Sequence, residues 1–193
     1  MKILAIRGKN LASLQGKFEI DFTQEPLSHA GIFAITGSTG AGKSTILDAL
    51  CVALFDATPR TSKGIENLQI TETQDRTINI RDSRNILRRG TAEGYAEVDF
   101  VALDGEHYRS NWYVNRANNK INGKLQSTSI RLINLTSGSE IYGGKTELLS
   151  RITELLGLNF NQFTRAVLLA QGDFATFMKA SQGEKACLLY TSD

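Results

Sequence analysis

The sequence has 193 residues, 41% of them hydrophobic and 22% charged, with a formal net charge of +2 at pH 7. This length is typical of one large domain, and so small a net charge excludes a surface that is basic throughout. Two cysteines are too few for a disulfide framework or a cysteine-rich metal site. Because no apolar run reaches the roughly 18 residues of a membrane span, we expect a cytoplasmic protein with no membrane partner.

The chain begins with two predicted strands. Residues 2–7 are largely apolar, and residues 17–22 alternate between apolar and charged side chains, which is typical of a strand with one face in water. We expect these two strands to form an antiparallel pair.

Residues 37–45 read GSTGAGKST and fit the P-loop pattern G-x-x-x-x-G-K-[ST]. Glycines let the backbone curl until successive N–H groups point at one anion. In such a loop Lys43 reaches the β- and γ-phosphates of a nucleotide, which makes it a catalytic candidate, and the Ser44 hydroxyl holds Mg²⁺. Residues 32–36 predict a buried strand before the loop, and residues 46–55 predict a buried helix after it. The predicted cofactor-binding residues are Gly37, Thr39, Gly40, Ala41, Gly42, Lys43, Ser44 and Thr45. An antiparallel pair of strands ahead of a P-loop is typical of ABC-type and chromosome-maintenance-type ATPase heads, which is an analogy of fold alone.

Residues 60–80 are rich in polar residues with little periodicity, which predicts a long, partly mobile surface loop. A cluster of four arginines follows, and Asp82 is the only acid between them. Such a run is usually a solvated face, and the alternative is a patch that binds nucleic-acid phosphates. The four are Arg81, Arg84, Arg88 and Arg89.

Residues 95–103 and 106–114 predict a β-hairpin, because apolar and polar residues alternate on both sides of Asp104-Gly105, a pair preferred in type I′ turns. We expect Trp112, in the second strand, to lie in the core rather than to stack on bases. Between His107 and Ser139 there are five basic residues and no Asp or Glu, a strong sign asymmetry. The five are Arg109, Arg116, Lys120, Lys124 and Arg131.

Residues 145–156 predict an amphipathic helix that ends at Gly157. Residues 159–170 predict another helix, with Asn159 as N-cap and Gln162 in the capping-box position. A further capping-box pattern predicts that residues 181–186 are the start of another helix. Residues 187–193 look like read-through into a sequencing adapter, so we expect a non-native tail.

The segment Lys9-Asn10-Leu11-Ala12-Ser13-Leu14, the P-loop and residues 168–174 resemble the N-terminal head of SbcC-type ATPases, the partners of SbcD-type nucleases. The resemblance implies an α/β fold, a P-loop NTPase of the ABC type. Residues 1–180 would form its N-terminal lobe, with a mixed central sheet, an added antiparallel sheet and flanking helices. It also implies that Asn10 and Ser13 lie near bound ATP and that Gln171 meets Mg²⁺ and the attacking water. Relatives often have a basic residue where this chain has Ala12, so no phosphate contact is expected there.

The function implied by this resemblance is an ATP-gated clamp on double-stranded DNA ends. ATP closes a dimer of two heads, hydrolysis opens it, and an SbcD-type metallo-nuclease cuts the DNA. Residues 1–186 contain neither an apolar strand ending in Asp-Glu nor a Ser-Gly-Gly segment, so we expect the head to need its own C-terminal lobe beyond a coiled coil. This chain alone is then expected to hydrolyse no ATP. The residues predicted to contact DNA are Arg88, Arg89, Arg109, Arg116 and Lys120.

Two other functions stay open on the sequence. A chromosome-structuring or recombination clamp would have the same head and no nuclease, and a nuclease-binding site at the base of the coiled coil would distinguish the two. A small-molecule kinase with a P-loop would need a lid and substrate-binding arginines within this length.

Overall fold

The computed structural model describes residues 1–30, 34–59, 69–73 and 76–166. The chain divides into two compact units, Met1–Gly157 and Leu158–Asp193. Its strands are β1 (Lys2–Leu11), β2 (Leu14–Asp21), β3 (Gln69–Thr73), β4 (Arg76–Asn79), β5 (Glu93–Val101), β6 (His107–Asn115), β7 (Ser129–Asn134) and β8 (Ser139–Ile141). Its α-helices are α1 (Lys43–Phe55) and α2 (Lys145–Leu156) in the first unit and α3 (Phe160–Ala166) in the second. None of these helices combines the length and the hydrophobicity that crossing a bilayer requires.

Six strands form one sheet in the order β2-β1-β5-β6-β7-β8. β1 pairs with β2 along one edge and with β5 along the other, where the pairs run from Lys2 opposite Val101 to Lys9 opposite Tyr95. The predicted α/β class, with an antiparallel pair in front of the P-loop helix, is confirmed. The predicted hairpin extends this pair instead of forming a separate sheet, because the edge of β1 opposite to β2 pairs with β5. Every pairing among the described strands is antiparallel.

One face of the sheet packs against α1 and α2, and the other carries charged side chains. Alternation along β5, β6 and β7 puts Val98, Trp112 and Leu132 on the packed face, where each is fully buried. The prediction that Trp112 is a core residue is confirmed. Residues 49–54 of α1 are at most 4% exposed, which also confirms the predicted buried helix. Burial raises the pKa of the Cys51 thiol to about 12, so this cysteine is an inert core side chain.

The segment before the P-loop differs from the predicted buried strand. Residues 31–33 lie outside the described residues, and residues 34–36 form no strand and are exposed, Ile35 by 41%. A strand exists only through hydrogen bonds to a neighbouring strand. Within the described ranges no strand pairs with residues 34–36, so their apolar, β-branched composition alone does not make a strand.

The segment predicted as a loop over residues 60–80 contains a short hairpin. β3 and β4 pair with Ile70 opposite Ile78 and Thr71 opposite Thr77, and Ile78 is buried. β-branched residues favour strands because their stiff side chains pack well on a pleated surface. The sequence contained such residues in this segment, including Ile70, Thr71, Thr77 and Ile78, but they lie among polar residues. Residues 60–68 and 74–75 lie outside the part of the chain that the structure describes.

The turn between β5 and β6 is not the predicted type I′ turn, which needs positive φ at both Asp104 and Gly105. Of the two, only Gly105 has it, at φ 83°, and the N–H of Ala102 donates to the carbonyl oxygen of Glu106 across a three-residue loop. The carboxylate of Asp104 stabilises this loop by accepting hydrogen bonds from the Glu106 N–H at 3.0 Å and the Tyr108 hydroxyl at 2.9 Å.

The predicted bounds of the helix over residues 145–156 and the predicted start of the next helix agree with the structure. α2 ends at Gly157, which has a φ of 68°. α3 begins after Asn159, whose side chain accepts a hydrogen bond from the Gln162 N–H at 2.9 Å, while the Gln162 side chain accepts one from the Asn159 N–H at 3.0 Å. This reciprocal pair is the predicted capping box. The remainder of that predicted helix, the helix at 181–186 and the tail at 187–193 lie outside the described residues.

A single carboxylate fixes the C-terminal end of α1. Asp56 follows the helix with a φ of 51°. Its Oδ1 accepts hydrogen bonds from Trp112 Nε1 at 2.5 Å and from Ser83 Oγ at 2.7 Å. Its Oδ2 accepts one from Thr128 Oγ1 at 3.2 Å and pairs with the ammonium group of Lys145. Because only 12% of this side chain is exposed, its charge depends on these donors rather than on water.

We expect Asp56→Asn to lower the free energy of unfolding by about 3 kcal/mol, because the amide has one acceptor oxygen for these donors and leaves Lys145 unpaired. Urea denaturation of the 193-residue chain measures this change. The control is Glu154→Gln, which removes the same charge from an exposed ion pair with Arg151 and should cost less than about 0.5 kcal/mol. Equal losses for the two variants would contradict the role of Asp56.

Candidate functional site

The P-loop has the backbone shape of an anion-binding nest. Gly40 and Gly42 have φ values of 83° and 96°, which L-residues with side chains rarely adopt. Gly42 is the N-cap of α1, and no side chain caps the helix there. The first N–H groups of a helix have no partner within the helix. Together with the positive end of the helix dipole, they form a site suited to phosphate.

Lys43 places its charge over this loop. Its Nζ donates to the carbonyl oxygens of Gly37 at 2.7 Å and Ser38 at 2.8 Å. These are the same donors that would turn to the phosphate oxygens of a nucleotide. The next residue, Ser44, is exposed, so its hydroxyl is accessible to a metal ion, whereas Thr45 is buried.

The turn between β1 and β2, which carries Ser13, packs against the P-loop. The Ser13 Oγ lies 3.2 Å from the Thr45 Oγ1. A Cβ atom on Gly42 would lie 2.4 Å from Leu14 Cδ2, so a residue with a side chain cannot replace this glycine unless the Leu14 side chain moves. The structure therefore brings the residues of the turn and of the P-loop into one site.

Asn10, also predicted near the nucleotide, shapes the turn. Its Oδ1 accepts a hydrogen bond from the Gly16 N–H at 3.0 Å, and its Nδ2 donates to the carbonyl oxygen of Glu93 at 3.1 Å. Asn10 itself has a φ of 54°. Both ends of its amide are thus used within the protein.

The predicted DNA contact Arg109 belongs to an ion-pair network on the charged face of the sheet. Its Nε and Nη2 donate to the two oxygens of Asp99 at 2.6 and 2.7 Å. Arg7 Nη1 donates to the same carboxylate at 2.8 Å. Burial alone would raise the pKa of Asp99, but these hydrogen bonds hold it below its usual value. Arg109 therefore has a structural role that ties β5 to β6.

Arg116 is also structural, although the sequence predicts it as a DNA contact. It is only 5% exposed, and its guanidinium donates to the carbonyl oxygens of Thr91 at 3.2 Å and Gly123 at 3.1 Å. It thereby joins the segment before β5 to the loop after β6. Arg89 lies in the first segment and Lys120 in the second, and both side chains are exposed.

Three features of the site have no clear signal in the sequence. Arg88, predicted as a DNA contact, donates to carbonyl oxygens of the β1–β2 turn. Leu14 packs on Gly42. Lys124 is exposed on the same loop as Lys120. The sequence pointed to Lys124 only as one of the five basic residues between His107 and Ser139. Gln171, the predicted catalytic and metal-binding glutamine, lies outside the described residues.

Comparison with known proteins places these features in a family. The AAA domain family matches residues 5–186. The chain is 53% identical to the SbcC component of the SbcCD nuclease of Pseudomonas aeruginosa and 47% identical to the protein of that name from Rhodobacter capsulatus. It is 28% identical to a probable DNA double-strand break repair Rad50 ATPase of Aquifex aeolicus. Each alignment covers 98% of this chain but only 15 or 16% of the relative.

We expect the Asp99 network to stabilise the fold above about pH 4 and to lose this effect in acid. The folded-state pKa of Asp99 is lowered, so its contribution is present above the unfolded pKa of about 3.9 and is lost as the pH falls through the lower folded value. Urea denaturation of the unchanged chain and of Asp99→Asn should give a stability difference at pH 7 that shrinks below pH 4. A difference that stays constant down to pH 2 would contradict this.

Proposed function

Because the chain belongs to the AAA domain family, we propose that it is the ATP-binding half of the ATPase head in a DNA end-processing nuclease complex. The observation that carries this proposal is the P-loop with Lys43 over its carbonyl groups and the β1–β2 turn packed on Gly42. The relatives are named as a nuclease component and as a probable double-strand break repair ATPase, and these names support the proposed role in a DNA end-processing complex. A cytoplasmic location is part of the same proposal.

ATP fits this site through its phosphates. The glycine-shaped loop and the uncapped start of α1 offer backbone donors, and Lys43 adds a movable positive charge. Ser44 would hold Mg²⁺, which when bound neutralises charge on the phosphate oxygens. Thr45 is buried behind it, in contact with Ser13. These residues bind and orient the phosphates, and Gln171 is proposed to orient the attacking water.

The partners we propose follow the same reasoning. A P-loop lobe supplies phosphate binding, and phosphoryl transfer also needs an acidic metal ligand and a residue that positions water. The chain spans only 15 or 16% of the length of the relatives named above. We propose that the head is completed by its own C-terminal lobe and by a second copy of the head. The associated enzyme is an SbcD-type metallo-nuclease.

Lys43→Ala should weaken the binding of Mg²⁺ and ATP by at least about tenfold and abolish ATP turnover by the complete protein, because it removes a charge-assisted hydrogen bond to the terminal phosphates. Isothermal titration calorimetry on the 193-residue chain measures the first effect and phosphate release by the complete protein the second. The control is Lys17→Ala, which removes an exposed lysine of β2. Unchanged affinity and turnover in Lys43→Ala would refute the phosphate site.

For double-stranded DNA we propose a surface that we call the basic end, formed by Arg89, Lys120 and Lys124. All three are exposed, and Arg116 joins the two segments that carry them. Contacts of lysine and arginine with backbone phosphates position DNA without reading its sequence. The predicted contacts Arg88 and Arg109 are not included, because their guanidinium groups bind carbonyl oxygens and Asp99 respectively.

Replacing the three residues of the basic end by alanine in the complete protein should weaken binding to duplex DNA of any sequence. It should also reduce the slope of log K against log salt concentration by about 0.9 for each phosphate that the protein no longer neutralises. A double variant, Lys2→Ala with Lys17→Ala, removes exposed charge elsewhere and serves as the control. If the triple variant keeps the slope of the unchanged protein, the basic end is merely solvated.

A further inference from the structure

The β1–β2 turn holds Ala12 in a conformation that alanine does not favour. Its φ of 43° lies in a region that costs an alanine about 1 kcal/mol or more, whereas asparagine tolerates the φ of 54° that Asn10 has. Such a conformation persists only where the surroundings determine it. The contacts that hold this turn therefore decide where Ser13 and Leu14 lie.

Arg88 supplies three of these contacts. Its backbone N–H donates to the carbonyl oxygen of Asn10 at 2.9 Å. Its Nη1 donates to the carbonyl oxygens of Ala12 and Ser13, both at 3.0 Å. A neighbouring hydrogen bond, from the Ala12 N–H to the carbonyl oxygen of Ile86 at 2.6 Å, adds to them. One charged side chain thus bridges the two consecutive carbonyl groups at the tip of the turn.

The same turn carries the residues that meet the P-loop. Ser13 contacts Thr45, which follows the proposed Mg²⁺ ligand Ser44, and Leu14 packs on Gly42. If the turn were released, the start of α1 would lose its contacts with Ser13 and Leu14. The P-loop would then have to become ordered at the moment when phosphate binds. Ordering a binding site at the moment of binding lowers affinity, whereas a preorganised site avoids that cost.

We propose that Arg88 is a positioning residue of the nucleotide site, which acts by holding Ser13 and Leu14 against the P-loop. This inference rests on the proposed binding of ATP. It assigns Arg88 a different role from the DNA contact that the arginine cluster predicts. The two roles are separable, because a DNA contact depends on charge alone, whereas bridging two carbonyl groups depends on the geometry of the guanidinium group.

The test measures the Kd of Mg²⁺ and ATP by isothermal titration calorimetry on the 193-residue chain, at a temperature well below each variant's unfolding midpoint. We expect Arg88→Ala to raise the Kd about tenfold, a change of about 1.4 kcal/mol. Arg88→Lys keeps the charge but loses the planar guanidinium group and the reach that place the two N–H bonds of Nη1 between these carbonyl groups, and should give a smaller rise of about threefold. The control Arg131→Ala removes an exposed arginine paired with Glu140 and should leave the Kd unchanged.

A residue that only stabilised the fold would lower the unfolding midpoint and leave the Kd of the folded molecules unchanged, and that result overturns the inference. It is also overturned if Arg88→Ala leaves the Kd unchanged but reduces the salt slope of duplex DNA binding by about 0.9, since Arg88 then contacts a phosphate. If Arg88→Ala does not fold, Arg88→Lys decides by the same criterion. Nucleotide binding that survives Lys43→Ala would instead refute the nucleotide site itself.

Discussion

The phosphate site depends on the close contact between Gly42 and the turn that joins β1 to β2. Gly42 lies in the P-loop directly before α1, and the space beside it is filled by Leu14. Its φ of 96° selects glycine independently. The curvature of the loop and the direction of the first amides of α1 therefore depend on the position of a hairpin distant from them in the chain. That hairpin is fixed in turn by the pairing of β1 with β5.

α1 is held at both of its ends. The turn with Ser13 meets its first residues, and Asp56 ties its last turn to Trp112 and Lys145. Between these ends the helix packs on the sheet, where Ser110 Oγ donates to the carbonyl oxygen of Ala53 at 2.5 Å. A helix fixed in this way keeps its N-terminal donors aimed at one place. Preorganised donors of this kind bind charge with little rearrangement of the protein.

Features that depend on local chemistry could be predicted from the sequence. The P-loop pattern, the buried α1 and the capping box of Asn159 and Gln162 each depend on neighbouring residues. The roles of the arginines could not be predicted, because the partner of each one is set by the tertiary register. Arg88 bonds to Ala12, 76 residues away in the chain, and a charge run does not reveal whether a carbonyl group or a phosphate faces it. The Asp104-Gly105 pair fits more than one turn, and the side-chain hydrogen bonds of Asp104 decide between them.

The central claim is that the P-loop and the β1–β2 turn form one nucleotide site, and hydrogen–deuterium exchange tests it most directly. Exchange is compared for the chain alone and for the chain with Mg²⁺ and ATP. We expect slower exchange in residues 38–45, because phosphate occupies those amides, and in residues 10–14, because an occupied loop holds the turn in place. The hairpin of β3 and β4 should be unchanged. Unchanged exchange in the loop, or slowing in the loop that does not extend to the turn, would contradict the claim.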